Sequence, residues 1–119
     1  MRVLVCGGRD FDNWALMAGV LRICYGDKKG KPRKGDVMIT GDACGADWLA
    51  RAYAKDTNRK YEGYPADWKK YGKAAGPIRN QQMLDEGKPD IVVAFPGGVG
   101  TADMVRRARK AGVEVIEVR

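Results

Sequence analysis

The sequence predicts an α/β fold, a three-layer sandwich over residues 1–119 with a mostly parallel five-stranded sheet and helices on both faces. Three observations predict it. Strand-like and helix-like segments alternate along the chain with few long gaps. The run Ile91-Val92-Val93-Ala94-Phe95 is short, rich in β-branched residues and uncharged, which marks a strand buried on both faces. That run passes directly into Pro96-Gly97-Gly98-Val99-Gly100-Thr101-Ala102-Asp103, a glycine-rich turn feeding a helix.

Taken in order, residues 2–6 form the first strand, and Asp12 is placed to cap a helix over about 13–24. In that helix Met17, Val20, Leu21 and Cys24 recur at core-facing spacing. Residues 36–40 form the second strand. A helix follows over about 46–55, with Trp48, Leu49, Ala52 and Tyr53 on one face. A weaker strand falls near 60–64. Residues 65–76 read as a loop pinned by Trp68 and Tyr71. Pro77 suits the first position of a helix that runs to Glu86 and stops at Gly87. After the strand at 91–95, a helix over about 100–111 places Ala102, Val105 and Ala108 at helical spacing and ends at Gly112. Residues 113–118 close the sheet. Alternation of this kind over one small unit is Rossmann-like, and no linker, repeat or low-complexity tract interrupts it.

Composition narrows the chemistry. With 119 residues, 45% hydrophobic and 31% charged, the chain has the make-up of one ordinary soluble domain. No apolar stretch approaches the roughly 20 residues that span a bilayer. The opening run, Val3-Leu4-Val5-Cys6, is too short for a signal peptide, so a cytoplasmic location is expected. Histidine is absent, which removes Ser-His-Asp and Cys-His schemes and histidine metal sites. Cys6, Cys24 and Cys44 form no CxxC pair, and neither a metal nor a cofactor is expected; Cys44, in a glycine-rich loop, is kept as a candidate reactive thiol. The net charge of +7 owes much to Lys28, Lys29, Lys31, Arg33 and Lys34. This segment reads either as a solvated loop or as a polyanion contact, and no aromatic residue is interleaved for base stacking.

In a parallel sheet the ligand lies beyond the carboxyl ends of the strands. Three loops leave those ends: Cys6-Gly7-Gly8-Arg9-Asp10-Phe11, Thr40-Gly41-Asp42-Ala43-Cys44-Gly45-Ala46-Asp47, and Pro96 to Thr101. The candidate ligand-binding residues are Gly7, Gly8, Arg9, Asp10, Gly41, Asp42, Gly45, Asp47, Arg79, Asn80, Pro96, Gly97, Gly98, Gly100 and Thr101. The turn at 96–101 leaves free N–H groups at a helix start, Thr101 adds a hydroxyl, and the glycines allow close approach of an anion such as a phosphate. Arg79, in the first turn of its helix, is placed to clamp that phosphate or to form a surface ion pair. Turn geometry alone is the alternative for Gly7, Gly8, Gly41 and Gly45, and helix capping for Asp42 and Asp47. Asp10, Asp42, Asp47 and Asp103 are candidates for contacting a ribose or base, or for proton transfer.

Together, Gly7-Gly8-Arg9-Asp10-Phe11, Gly41 to Asp47, Ala75-Gly76-Pro77-Ile78-Arg79-Asn80 and Ala94 to Asp103 resemble the YspA branch of the SLOG superfamily over nearly the whole chain. The resemblance implies a Rossmann-like fold that binds nucleotides or nucleotide-derived ligands, and it suggests a homodimer. PGGxGT also occurs in the Lonely Guy and lysine-decarboxylase-like branch, and Arg79 falls where the active-site arginine of Lonely Guy phosphoribohydrolases sits. Their pattern then has a glutamate three residues after the threonine. Here that residue is Met104, whose thioether cannot take a proton, and Asp103 is its neighbour.

The leading expectation is a sensor, carrier or sequestering protein for a nucleotide-derived small molecule. The first alternative is a nucleotide N-glycosidase or phosphoribohydrolase with Asp103 or Asp10 as its carboxylate and Arg79 as its phosphate clamp. The second is single-strand nucleic-acid binding.

Overall fold

A computed structural model describes residues 1–26 and 32–119, and among these residues five strands and five helices alternate except after the third strand, where two helices follow one another. They are β1 (Arg2–Cys6), α1 (Trp14–Cys24), β2 (Val37–Thr40), α2 (Ala46–Asp56), β3 (Lys60–Gly63), α3 (Trp68–Tyr71), α4 (Ala75–Asp85), β4 (Ile91–Ala94), α5 (Val99–Lys110) and β5 (Glu114–Glu117), with a short 3₁₀ turn before α4. The strands run in the order β3-β2-β1-β4-β5, and every pairing is parallel. This is an α/β Rossmann-like fold, with its strand order reversing between β1 and β4.

Alternation along the inner strands divides the core in two. Val3, Val5, Met38 and Val93 face Met17 and Leu21 of α1 and Ala46, Ala50, Tyr53 and Ala54 of α2. Leu4, Ile39, Val92 and Ala94 face Met83 and Leu84 of α4 and Met104, Val105 and Ala108 of α5. Apart from Arg2 at the start of β1 and Thr40 at the end of β2, the strands β1, β2 and β4 are apolar because both faces are covered, whereas the edge strands β3 and β5 are only half-buried.

Several local expectations are corrected. Asn13, rather than Asp12, caps α1, its side chain accepting from the Leu16 amide at 3.1 Å. Both residue types cap well, and only the one directly before the helix reaches those amides. The buried face of α2 is Ala46, Ala50, Tyr53 and Ala54, while Trp48 and Ala52 point outward; small side chains let the helix lie close to the sheet. α4 begins two residues before Pro77, which the first turn tolerates because its amides lack intrahelical acceptors. In α5, Ala102 is exposed and Met104 takes the inward position. Residues 68–74 are helical rather than loop, and neither Trp68 nor Tyr71 is buried.

At the amino edge of the sheet, Arg59 and Asp36 form a buried ion pair at 3.1 Å, and the Arg59 guanidinium lies 4.1 Å from the centroid of the Tyr25 ring. Arg33 donates to the Gly26 carbonyl at 2.9 Å on this same side, opposite the loops at the strand carboxyl ends. Lys28, Lys29 and Lys31 lie outside the described residues.

Candidate functional site

The three glycine-rich loops are fastened to one another. The Gly8 amide donates to the Pro96 carbonyl at 2.8 Å, and the Gly8 carbonyl accepts from Ala46 at 3.2 Å. The approach is close enough that four glycines are required by packing. A Cβ at Gly7 would lie 2.6 Å from that of Ala46, one at Gly8 2.9 Å from the Pro96 carbonyl oxygen, and one at Gly97 2.7 Å from the Gly8 nitrogen. At Gly45, where φ is +74°, it would overlap the carbonyl oxygens of Gly8 and Arg9. Gly98 and Gly100 differ: nothing lies within 4 Å of where their side chains would begin.

Gly98 and Gly100 open onto a cleft of about 700 Å³ at the carboxyl edge of the sheet. Gly7, Gly8, Arg9, Gly41 and Asp47 line it from the first two loops, with Arg79 and Asn80 from α4 and Thr101 and Asp103 from α5. Asp10, Pro96 and Gly97 instead line an adjoining depression of about 430 Å³. Asp42 and Gly45 line neither. Asp42, at φ +57°, turns its carboxylate to the Tyr61 hydroxyl (2.9 Å) and to Arg51 (3.6 Å). The cleft also takes Val99 from the loop at 96–101 and, from outside the expected residues, Trp68, Lys73 and Arg106.

α5 meets the cleft with its N-terminus. Gly98 precedes the helix, no side chain caps it, and the first-turn amides have no acceptors within the helix itself. Its positive end is therefore available to an anion. Arg79 is the fifth residue of α4 rather than a first-turn one; its Nη1 donates to the Gly41 carbonyl at 2.6 Å and its Nε to Asn80 Oδ1 at 3.1 Å. Burial draws this guanidinium below its ordinary value, against the opposing charge of Asp47. Asn80 ties the two helices together through Nδ2, which donates to Asp103 at 2.9 Å and to the Gly100 carbonyl at 3.2 Å.

The two cleft carboxylates have opposite electrostatics. Asp103 accepts from Asn80, Arg106 and Arg107. Burial raises its pKa, but the hydrogen bonds from Asn80 and Arg107 and the arginine charges outweigh burial and hold it below the usual carboxylate value. Both oxygens are engaged, Oδ1 by Arg106 and Oδ2 by Asn80 and Arg107. Asp10, the other carboxylate considered for catalysis, is exposed beside the neighbouring depression. Asp47 has no such set of cations. Burial pushes it up to about 6, against the Ala43 amide (3.2 Å), Arg79 and the Gly41 amide. The Cys6 thiol nearby is pushed up to about 12, first by burial and then by Asp47, and so stays protonated. Cys44 is exposed. Among the described residues, no group of three His, Cys, Asp or Glu side chains is placed to hold a metal ion, and no helix is long and apolar enough to cross a membrane.

The raised pKa of Asp47 makes folding pH-dependent. A carboxyl that binds its proton more tightly when folded favours the fold below its unfolded value near 4, and this advantage disappears as pH rises through about 6. Asp47→Asn is expected to be more stable than the parent near pH 8, by on the order of 2 kcal/mol, and to lose that advantage near pH 4. Urea midpoints measured across this range provide the check, and a difference that is constant with pH contradicts it.

Residues 1–71 match the family model described as YspA, cpYpsA-related SLOG family. The match takes in the first two loops and α3, while the loop at 96–101 and α5 lie beyond it. Gene 61 protein of Mycobacterium phage D29 is 36% identical over 122 aligned residues, covering 97% of this chain and 94% of that protein. The X-ray structure of TM1055 shares the fold with a TM-score of 0.66 at 18% identity, over 97% of this chain and 72% of the other. A family match over more than half the chain, with a full-length relative beside it, establishes that this chain belongs to the YspA, cpYpsA-related SLOG family.

Proposed function

We propose that this protein binds a nucleotide or nucleotide-derived small molecule in the cleft at the carboxyl edge of the sheet and acts as a sensor, carrier or sequestering protein. Family membership suggests nucleotide-related ligands in broad terms. The observation that carries the finer reading is the uncapped N-terminus of α5, which opens through Gly98 and Gly100 onto a cleft that also holds Arg79. Charge agrees with it. Arg9, Lys73 and Arg79 line the cleft against Asp47, while Asp103 is paired with Arg106 and Arg107. Binding without turnover is favoured over N-glycosidic hydrolysis. Met104, where the Lonely Guy pattern has its glutamate, is fully buried in the core, and both oxygens of Asp103 are engaged.

The test is calorimetry with adenosine monophosphate and with adenosine. The monophosphate is expected to bind much more tightly, and Arg79→Lys to weaken it roughly 10- to 150-fold as a charged hydrogen bond is lost. Chromatography of the mixture is expected to show no free base. Equal affinity for nucleoside and nucleotide removes the anion site, and multiple turnovers of base release restore the hydrolase reading.

A further inference from the structure

Among the cleft-lining side chains, Trp68 is the large flat apolar one, and it is unused by the anion site. It is half exposed, although it sits on α3, a helix of only four residues. The backbone beneath it is fixed. The Asp67 side chain accepts from the Lys70 amide at 3.1 Å, the Asp67 carbonyl accepts from Tyr71 at 3.0 Å, and the chain passes through the 3₁₀ turn directly into α4. The indole is seated as well. Its Cη2 lies 3.5 Å from where a side chain would begin at Gly76, a buried position in the first turn of α4. A second planar group faces it: the guanidinium of Arg9, itself exposed and in the same cleft, lies 5.9 Å from the ring centroid. Trp14 and Trp48, the remaining tryptophans, line none of this cleft.

We propose that Trp68 is the nucleobase platform of the cleft, with Arg9 flanking the base, and that it determines a preference for nucleotides over free sugar phosphates. This rests on the anion-site reading above and adds the recognition of a flat aromatic group to it. The phosphate end has a helix terminus and a guanidinium. A heteroaromatic base instead needs a π-face, an apolar surface that water covers poorly, and a planar cation at its edge or face, which this corner of the cleft supplies. Stacking is tolerant of base identity, so the platform selects for the presence of a base more strongly than for which base it is.

The experiment compares adenosine monophosphate with ribose 5-phosphate, by calorimetry, on the parent protein, Trp68→Ala and Trp68→Phe. Trp68→Ala is expected to lower affinity for the monophosphate roughly 5- to 150-fold while leaving ribose 5-phosphate affinity unchanged, and Trp68→Phe to retain most of it. In a Trp14→Phe/Trp48→Phe background, fluorescence then reports Trp68 alone; the monophosphate is expected to quench it and ribose 5-phosphate to leave it nearly unaltered. Unchanged affinity for the monophosphate in Trp68→Ala, with both ligands still bound, overturns the platform and leaves the anion site standing. Equal losses for both ligands make Trp68 a support for the shape of the site and overturn the proposal too. Failure of the parent protein to bind either ligand overturns the anion-site reading, and the platform with it.

Discussion

Gly98→Val is expected to reduce affinity for adenosine monophosphate at least about 100-fold while the protein remains folded. The expectation combines two properties of one position. Nothing lies within 4 Å of the point where a side chain would begin, so valine has room and enters the cleft. The backbone at φ −104° is not left-handed, so a β-branched residue meets no positive-φ strain there. Replacing glycine at a helix N-cap costs about 1 kcal/mol, a drop of a few degrees in Tm for a chain of this size. The branched side chain then stands in front of the amides that open α5. A phosphate held off by that bulk loses several charge-assisted hydrogen bonds, each worth roughly 1.5–3 kcal/mol. Calorimetry gives the affinity and a thermal melt gives the fold. Unaltered affinity in a folded variant moves the anion away from the N-terminus of α5.

Gly98 also shows how far the site was legible in the sequence. The loops were legible, because parallel topology sends every strand-to-helix connection to one edge, and alternation alone establishes that topology. The glycines were not separable. Gly7, Gly8, Gly45 and Gly97 are held by contacts with other loops, while Gly98 and Gly100 face open space, and spacing along the chain cannot distinguish the two groups. The carboxylates divide in the same way. Arg106 and Arg107 stand three and four residues after Asp103, a helical spacing that already makes ion pairs. The raised pKa of Asp47 comes from burial, which the Arg79 charge opposes and which no local pattern encodes. Among the elements, β1, β2 and β4 are evident from their apolar runs, whereas Lys60-Tyr61-Glu62-Gly63 is an edge strand whose exposed side leaves little signal. α3 carries almost none. Its four residues show no period, so nothing local separates a Trp68 that pins a loop from the half-exposed Trp68 that lines the cleft.

Gly45→Ala is expected to do the reverse of Gly98→Val and damage the fold itself. Gly45 holds φ +74° and ψ −122°, a conformation that any residue with a side chain adopts at a cost of about 1–3 kcal/mol. Relaxing that strain is blocked, because the added methyl would overlap the backbone oxygens of Gly8 and Arg9, which cannot rotate away as a side chain would. Moving them breaks the hydrogen bond from Ala46 to Gly8, and with it the junction of the first two loops. Overpacking against rigid atoms adds roughly 1–3 kcal/mol. The sum, about 4 kcal/mol, is a large part of the roughly 5–15 kcal/mol that holds a domain together. Tm is expected to fall by roughly 15–25 °C, with a matching drop in the urea midpoint. Any loss of nucleotide affinity in this variant should follow the loss of folded protein, whereas in Gly98→Val it should occur without it. A melting temperature within a few degrees of the parent would mean that the loops can separate at little cost, and that the cleft they line is not held rigid by their contacts.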